Sequence, residues 1–398
     1  MTPNKVPAAE LQNRLTRFRA AMDATYPDWE LCALVGPMNV FWLTGTIFDG
    51  MLLLRRDGDA ALWARRGYER ALLESEFEGI RRMNSFKDVA AANPELPDTL
   101  YLDMSFATLE WHAFLSRHMK FSRILPVDAV CLEARAVKSG YELARMREAG
   151  QTIDRLLGDE VPGLLREGIS EAELGAELFG LFIRNGHHGV SRFSMRNADV
   201  VMGHIGFGVS ALYPSVFNGA SGLVGLCPAA PVLGSREVTL KKGDLVYIDI
   251  GFGVDGYQVD TTQIYSFGGP PAEAVSRAQS HCLELERKAS DRLRPGAKPC
   301  EIYETVLAQV PPELRDCFMG APGRTVPFLG HGVGLYVDEY PVLAKGFAKP
   351  LESGMTLAVE PKVGIEGVGM AGSENTYLVT ESGGECLTGM ARDIIVIE

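Results

Sequence analysis

Residues 246–267 read VYIDIGFGVDGYQVDTTQIYSF and give the clearest indication of the fold. Two apolar, alternating runs meet at an Asp-Gly pair, which is typical of a β-hairpin. A loop at 253–256 would place Asp249 directly opposite Asp260, with their Cβ atoms roughly 5 Å apart on one face. Two carboxylates held that close among apolar residues repel each other unless a cation lies between them. The hairpin therefore predicts a metal site.

The same stretch contains a formal GxGxxG pattern formed by Gly251, Gly253 and Gly256. In a dinucleotide-binding protein this pattern opens a helix, and the N-terminus of that helix holds the pyrophosphate. Here the glycines lead into a second strand. We therefore interpret them as part of the hairpin and predict no nucleotide site.

Two further regions supply the other candidate ligands. The segment GHGVGLYVDEYP contains His331 among glycines, which let a backbone approach a site closely. The segments AVEPKVG and SENTYLVT place Glu360 and Glu374 at or near strand ends. One imidazole with four carboxylates suits two bridged divalent ions such as Mn, Co, Zn or Fe.

In their order and spacing, these segments resemble the pita-bread metallopeptidases, which include methionine aminopeptidase, prolidase and Xaa-Pro aminopeptidase. RAVKSGYELARMREAGQTID resembles the first helix of that catalytic domain, and GPMNVFWLTG resembles a signature of the creatinase/prolidase-type N-terminal domain. The resemblance covers nearly the whole chain. It implies an α/β N-terminal domain at 1–131 and an α+β pita-bread (creatinase/aminopeptidase) catalytic domain at 132–398.

The resemblance also implies a role for each ligand. Asp249 would bind one ion with both oxygens, Asp260 and Glu374 would bridge the two ions, and His331 and Glu360 would complete the second ion. A water between the ions would attack a carbonyl group, and an ion would stabilise the resulting oxyanion. Glu360 is the first candidate for the general base.

The chain departs from these peptidases at three positions. They carry a histidine seven residues after the liganding one, where this chain has Asp338, and another before the first strand, near Val232. Prolidase-like members have an arginine where this chain has Gly372. His204 is a candidate replacement donor, although a histidine satisfied by backbone hydrogen bonds is the commoner case.

Two residues are candidates for substrate binding. Asp338 could anchor a substrate amine, and an ion pair or a surface turn is the alternative. Tyr257 could line the cleft, and packing beside the neighbouring glycine is the alternative.

Composition limits the classes of function. The 398 residues carry a formal net charge of -12, which argues against a nucleic-acid partner because phosphate binding needs clustered Lys and Arg. No run of 18 apolar residues and no secretory pattern at the start are found, so we expect a cytoplasmic protein without a membrane partner. The seven cysteines lack a CxxC pair and are expected to be reduced thiols.

Apolar periodicity predicts the remaining elements. In the N-terminal region, we expect helices at 8–25, 68–76 and 106–118, strands at 31–36, 51–55, 60–64 and 100–103, and a connection at 126–131. In the C-terminal region, we expect helices at 142–157, 170–185, 272–292 and 300–309, and strands at 357–363, 375–380 and 394–397.

The sequence thus predicts a metal-dependent hydrolase, an Xaa-Pro aminopeptidase or dipeptidase that acts on small peptides as a homodimer. One alternative is an enzyme of the same fold acting on a non-peptide small molecule, because fold does not fix function. The other is a catalytically silent creatinase-fold protein, which the complete ligand set disfavours.

Overall fold

The structure is a computed structural model that describes residues 4–194, 199–389 and 392–398. The chain forms two compact units, Met1–Arg135 and Ala136–Glu398, which we call the N-terminal and C-terminal domains. The division falls four residues after the predicted boundary. The reason is that the expected connection at 126–131 largely belongs to a helix, Asp128–Ala136.

Seven of the ten described helices match the predicted ones to within three residues at each end, and the other three, at 37–44, 86–92 and 128–136, were not predicted. The ten helices are α1 (Ala8–Thr25), α2 (Pro37–Thr44), α3 (Tyr68–Glu74), α4 (Phe86–Ala92), α5 (Leu109–Leu115), α6 (Asp128–Ala136), α7 (Gly140–Arg155), α8 (Glu171–Arg184), α9 (Glu273–Ser290) and α10 (Pro299–Leu307). In the described part of the chain, no helix is both long and apolar enough to cross a membrane.

The strands are more numerous than the sequence patterns predicted, and the single strand expected at 357–363 is two strands separated by Glu360 and Pro361. The described strands are β1 (Leu31–Leu34), β2 (Asp49–Arg55), β3 (Ala60–Arg66), β4 (Ile80–Arg82), β5 (Thr99–Leu102), β6 (Arg123–Pro126), β7 (Ser191–Arg192), β8 (Asp199–Val200), β9 (Gly203–Phe207), β10 (Leu245–Val254), β11 (Tyr257–Phe267), β12 (Gly320–Ala321), β13 (Arg324–Thr325), β14 (Phe328–Gly332), β15 (Glu339–Ala344), β16 (Thr356–Val359), β17 (Lys362–Ile365), β18 (Gly369–Gly372), β19 (Asn375–Thr380), β20 (Gly383–Cys386) and β21 (Ile395–Ile397).

The N-terminal domain is built on one mixed sheet with the strand order β4-β3-β2-β1-β5-β6. The central strands are antiparallel, and β4, β5 and β6 add in parallel. Leu31, Leu53 and Trp63 belong to the buried cluster on this sheet. This arrangement agrees with the predicted α/β domain.

The C-terminal domain contains two main sheets. One has the order β21-β11-β10-β9, and the other has the order β15-β14-β16-β19-β20. Helix α7 packs on β10 and β11. An isolated bridge between Thr262 and Glu374 joins the two sheets, and the candidate ligands lie where the sheets meet.

Two helix starts show how the sequence fixes local structure. Ser139 and Ser170 each cap the N-terminus of a helix. The side chains of Glu142 and Glu173 each accept a hydrogen bond from the backbone N–H of the corresponding serine. The cap at Ser170 was predicted from the spacing of Ser170 and Glu173, and it is confirmed.

The hairpin forms as predicted, but its register differs. The turn contains only Asp255 and Gly256, both with positive φ (50° and 95°), as a two-residue turn requires. Asp249 therefore pairs with Thr262, and Asp260 pairs with Gly251. The prediction that Asp249 lies directly opposite Asp260 is wrong because the turn is two residues shorter than assumed. The shift is an even number of residues, so both carboxylates remain on one face.

Candidate metal centre

The four-stranded sheet contributes the first two ligand candidates from adjacent strands. Asp249 lies on β10 and Asp260 on β11, and Asp260 is 6% exposed. The long runs of Val, Ile and Tyr around them bury the strands on both faces. Consequently, both carboxylates lie in a low-dielectric region and need compensating positive charge.

The five-stranded sheet contributes the other three ligand candidates. His331 lies on β14, Glu360 follows the last residue of β16, and Glu374 precedes the first residue of β19. The prediction that both glutamates lie at strand ends is therefore correct. Strand ends bring side chains from neighbouring strands to one edge of a sheet.

The five side chains gather in one place. Nε2 of His331 lies 3.5 Å from Oε1 of Glu360 and 3.9 Å from Oδ2 of Asp260. Among the described residues, Asp260, His331 and Glu374 each offer a ligand atom within 4.8 Å of the others, a spacing that suits one metal ion. Three of the predicted ligands thus share one position, whereas Asp249 and Glu360 lie outside this trio.

The imidazole is oriented for metal binding. Nδ1 of His331 lies 3.2 Å from the carbonyl oxygen of Gly332. A carbonyl oxygen can only accept, so Nδ1 carries the proton and Nε2 faces the carboxylates. Burial works against a charged ring, but Glu360 and Asp260 outweigh it and raise the pKa of His331.

Lys362 is a residue of this centre that the sequence analysis did not name. Its Nζ lies 2.9 Å from Oδ2 of Asp249, 2.9 Å from Oε2 of Glu360 and 2.6 Å from Oε2 of Glu374. The side chain is 2% exposed. The signal was present in AVEPKVG, because a lysine two residues after Glu360 on an extended strand returns to the same face.

The ammonium changes the chemistry of Asp249. Burial would raise the pKa of Asp249, but Lys362 and then His204 more than offset that and hold it well below its usual range. Tyr247 also donates its hydroxyl to Oδ2 of Asp249 at 2.6 Å. Asp249 is thus an ionised carboxylate with two donors on one oxygen.

Asp260 and Glu374 lie in a more negative environment. Burial, and then the Asp249 charge, raise the pKa of Asp260. Burial and the Asp260 charge likewise raise the pKa of Glu374, even though Lys362 touches it. Positive charge is therefore still needed on the side of the centre where these two carboxylates face His331.

His204 borders the centre on β9. It is the direct cross-strand partner of Asp249, so the two side chains share a face. Nδ1 of His204 lies 3.0 Å from Oγ of Ser221, and the ring packs edge to face with Phe217 at 4.8 Å. Burial lowers the pKa of His204 to about 4, with Asp249 opposing the shift. The neutral ring is satisfied by a side-chain hydroxyl, and its catalytic role stays a prediction.

Asp338 lies beside β15 and is bound by one residue. Ser194 donates its backbone N–H to Oδ1 of Asp338 and its hydroxyl to Oδ2, the latter at 2.9 Å. His331 contributes a favourable charge to Asp338, but burial dominates and raises the pKa of Asp338. Both oxygens already accept a hydrogen bond, and the role as a substrate anchor stays a prediction.

The prediction that Tyr257 lines the cleft is wrong. Alternation along β11 places Tyr257 on the face opposite to Asp260. The ring is 1% exposed and packs edge to face on Tyr141 of α7, with ring centroids 6.5 Å apart. Val232, which stands near the missing histidine, lies half-buried in an irregular segment before β10.

A histidine pair supports the hairpin from outside the centre. Nδ1 of His187 accepts the N–H of Gly253 at 3.0 Å, and Nδ1 of His188 accepts the N–H of Gly256 at 3.3 Å. A Cβ on residue 253 would lie 2.1 Å from the ring of His188. Gly253 is therefore required for close packing, which explains one glycine of the GxGxxG pattern.

The fold and the gathered side chains define a class of protein, the creatinase-type N-terminal domain joined to a pita-bread catalytic domain. Residues 14–137 match the profile of the Creatinase/Prolidase N-terminal domain, and residues 144–381 match that of metallopeptidase family M24. The chain belongs to metallopeptidase family M24. Both the predicted family and the predicted fold class are confirmed.

Similar proteins carry peptidase names. The probable dipeptidase PepE of Mycobacterium tuberculosis is 30% identical over 280 residues, which cover 69% of this chain and 64% of that protein. The match therefore spans less than two thirds of that relative. The Xaa-Pro dipeptidase of Pyrococcus furiosus is 25% identical over 389 residues, covering 97% of this chain and 100% of that one.

Solved structures agree on the fold. The prolidase from Pyrococcus horikoshii has a TM-score of 0.78 with 22% identity, covering 96% of this chain and 100% of that one. Dipeptidase PepE from Mycobacterium ulcerans has a TM-score of 0.79 with 24% identity, covering 99% and 100%. The N-terminal domain of the FACT subunit SPT16 from chickpea also has this fold, with a TM-score of 0.74 and 13% identity, covering 99% and 100%. The fold alone therefore does not fix an activity.

The family implies divalent metal ions, and the donor set fits such an ion at one position. Asp260, His331 and Glu374 supply oxygen and imidazole donors close enough to share an ion. Around Asp249 the fit is poorer, because the ammonium of Lys362 already contacts this carboxylate.

Proposed function

We propose that this chain is a metal-dependent hydrolase that cleaves a short peptide, with an Xaa-Pro dipeptide as the first substrate to test. One observation carries the proposal: Asp260, His331 and Glu374 converge in a buried centre, and they do so within a chain of metallopeptidase family M24. The names of the dipeptidase relatives support the choice of substrate.

Each residue has a defined task in this proposal. Asp260, His331 and Glu374 would hold a divalent ion, with Glu360 beside His331. A bound ion supplies Lewis-acid polarisation of the scissile carbonyl and lowers the pKa of the attacking water. Oε1 of Glu360 is the oxygen that Lys362 does not contact, so Oε1 would accept the proton from that water.

The proton then has a route to the product. Water oxygen forms a bond to the carbonyl carbon, the carbon–nitrogen bond breaks, and the proton held by Glu360 passes to the leaving amine. His204, neutral and next to Asp249, would donate a hydrogen bond to the substrate. Asp338 would bind the substrate amine only if it gives up a bond from Ser194.

The test is hydrolysis of a panel of Xaa-Pro dipeptides after loading with Mn²⁺ or Co²⁺. We expect cleavage by the wild type and loss of at least 100-fold in kcat/KM for Asp260→Asn, since removal of a main electrostatic group costs roughly 10²–10³. Asp316→Asn is the matched control, because Asp316 is exposed and is not among the candidate ligands. Cleavage retained in Asp260→Asn would contradict the assignment.

A second candidate is hydrolysis of a non-peptide small molecule at the same centre. The observation that favours it is Asp338, which stands where the resembled peptidases have a histidine and is bound by Ser194. A metal-loaded wild type that leaves every dipeptide intact but cleaves a cyclic or N-acyl amide would establish this alternative.

Three finer properties are proposed. We propose Mn²⁺ as a native ion, a homodimer as the assembly and the cytoplasm as the location. Elemental analysis of the purified protein, light scattering after gel filtration and fractionation of the source cells would decide them respectively.

A further inference from the structure

Lys362 occupies a position in the centre where a second cation is expected. Its ammonium lies within 2.9 Å of three carboxylate oxygens, one each from Asp249, Glu360 and Glu374. A lysine ammonium has three N–H groups and no acceptor. All three are used here, so the ammonium is fully coordinated by the very groups expected to hold metal.

We infer that Lys362 replaces one of the two metal ions, so that the centre binds a single divalent ion between His331, Asp260 and Glu374. This inference rests on the proposed function as a metal-dependent hydrolase. It concerns the number of ions and the residue that takes the place of the missing one.

The state of Asp249 is the first argument. In the resembled centre this carboxylate would bind one ion with both oxygens. Here Oδ2 of Asp249 accepts from Lys362 at 2.9 Å and from the hydroxyl of Tyr247 at 2.6 Å. Only Oδ1 remains, so Asp249 cannot chelate an ion while these two donors stay in place.

The remaining donor atoms supply the second argument. Nε2 of His331 makes no contact with Lys362, and Asp260 is not among the carboxylates that the ammonium touches. Glu374 contacts the ammonium through Oε2 and keeps its other oxygen for a ligand bond. The side of the centre that contains His331 is therefore complete without Asp249.

Charge supplies the third argument. Asp249, Asp260, Glu360 and Glu374 together carry four negative charges when a bound cation keeps all of them ionised. Two divalent ions together with the ammonium would bring five positive charges into a buried volume, whereas one divalent ion with the ammonium brings three. Both arrangements leave one unbalanced charge, positive in the first and negative in the second, and only the negative one is offset by hydrogen-bond donors, the hydroxyls of Tyr247 and Thr262.

Space supplies the fourth argument. Lys362 and Gly372 are direct partners in the β17–β18 pair. A Cβ on residue 372 would lie 3.0 Å from Cγ of Lys362. The glycine thus leaves room for the lysine, at the position where the resembled prolidases carry an arginine.

The experiment counts ions. The full-length protein is loaded with Mn²⁺, passed through gel filtration, and analysed for metal per chain and by electron paramagnetic resonance. We expect about one ion per wild-type chain with an uncoupled Mn²⁺ spectrum. The Lys362→Ala variant should bind about two ions per chain and show the spectrum of an exchange-coupled pair, because removal of the ammonium frees Asp249 and leaves space for a second ion.

Two variants serve as controls. The Lys362→Arg variant keeps the positive charge and should still bind about one ion per chain. The Lys345→Ala variant removes an exposed lysine and should also bind about one ion per chain. Circular dichroism checks that each variant folds. If Lys362→Ala does not fold, the count and spectrum of the wild type decide the question alone.

The outcomes separate this inference from the proposed function. Two coupled ions in the wild type would overturn the inference, even if dipeptides are cleaved. One uncoupled ion without dipeptide cleavage would support the inference and overturn the peptidase proposal. No bound ion after loading would overturn both.

Discussion

Thr262 donates its hydroxyl to Oε2 of Glu374 at 2.9 Å, and this bond joins the two sheets of the C-terminal domain at the candidate metal centre. The same oxygen accepts from Lys362 at 2.6 Å. Oε2 therefore already accepts two hydrogen bonds, and Oε1 of Glu374 is the oxygen that would bind an ion. A hydrogen bond of this kind orients a metal ligand without touching the metal.

Thr262→Val should weaken metal binding without unfolding the protein. The valine keeps the shape of threonine but removes the donor, so Glu374 becomes free to rotate. We expect Mn²⁺ affinity to fall roughly 10- to 100-fold, the usual effect of losing such a partner. Isothermal titration calorimetry measures it. Thr305→Val, on the exposed face of α10, is the control and should leave affinity unchanged.

Gly372→Ala should destabilise the protein and disturb Lys362. Residue 372 has a φ of +144°, and a Cβ there would lie 2.6 Å from the carbonyl oxygen of Pro361. We expect a loss of about 2–4 kcal/mol in the free energy of unfolding, from backbone strain plus the clash. Gly367→Ala is the control: its φ is +74°, but nothing lies within 4 Å of the added Cβ. Equal losses, measured by denaturant titration, would refute the role of the clash.

The pair His187 and His188 should make the C-terminal domain sensitive to acid. Burial lowers the pKa of each to about 4, from 6.5. Between these two pKa values the unfolded chain binds more protons than the folded chain. The contribution of the neutral rings to the free energy of unfolding is therefore fully present above pH 6.5 and is lost as the pH falls toward 4. For buried His187 the full loss is on the order of 3 kcal/mol.

His187→Gln tests this pH dependence. The glutamine oxygen accepts the N–H of Gly253 at any pH, so the variant should lose less stability than the wild type between pH 6.5 and 4. Unfolding followed by circular dichroism at several pH values measures the difference. His281→Gln, on helix α9, is the control and should keep the wild-type slope. An unchanged slope in His187→Gln would show that this ring does not titrate on unfolding.

Asp103→Ala should destabilise the N-terminal domain. The fully buried carboxylate accepts the N–H of Val35 at 2.9 Å, the N–H of Gly36 at 2.7 Å and the amide of Asn39 at 3.0 Å. Removing the acceptor leaves buried donors unpaired, which costs about 2–4 kcal/mol.

The readout for Asp103→Ala is tryptophan fluorescence during denaturant unfolding. All four tryptophans, Trp29, Trp42, Trp63 and Trp111, lie in the N-terminal domain, so fluorescence reports on this domain alone. Asp57→Ala removes an exposed carboxylate and should change stability by less than about 0.5 kcal/mol. A matching loss in both variants would contradict the role of the three hydrogen bonds.

Much of the fold followed from local sequence. Helix α1 begins and ends where its apolar periodicity predicted, and Ser170 caps α8 as its spacing to Glu173 predicted. These features depend on residues a few positions apart, which is why a single sequence is sufficient to find them. The hairpin was found for the same reason, but its register was wrong because the turn length was misjudged.

The candidate ligands were also named from the sequence, because their residue types and order resemble a known family. How these ligands meet, however, depends on the tertiary structure. Lys362 lies 113 residues from Asp249 in sequence, and their contact exists only because strands of different sheets converge. Tyr257 points away from Asp260 because strand alternation, not proximity in sequence, sets the direction of a side chain. Local sequence was thus sufficient to identify most of the helices, the hairpin and the ligand types, whereas long-range packing sets which charges share one buried volume.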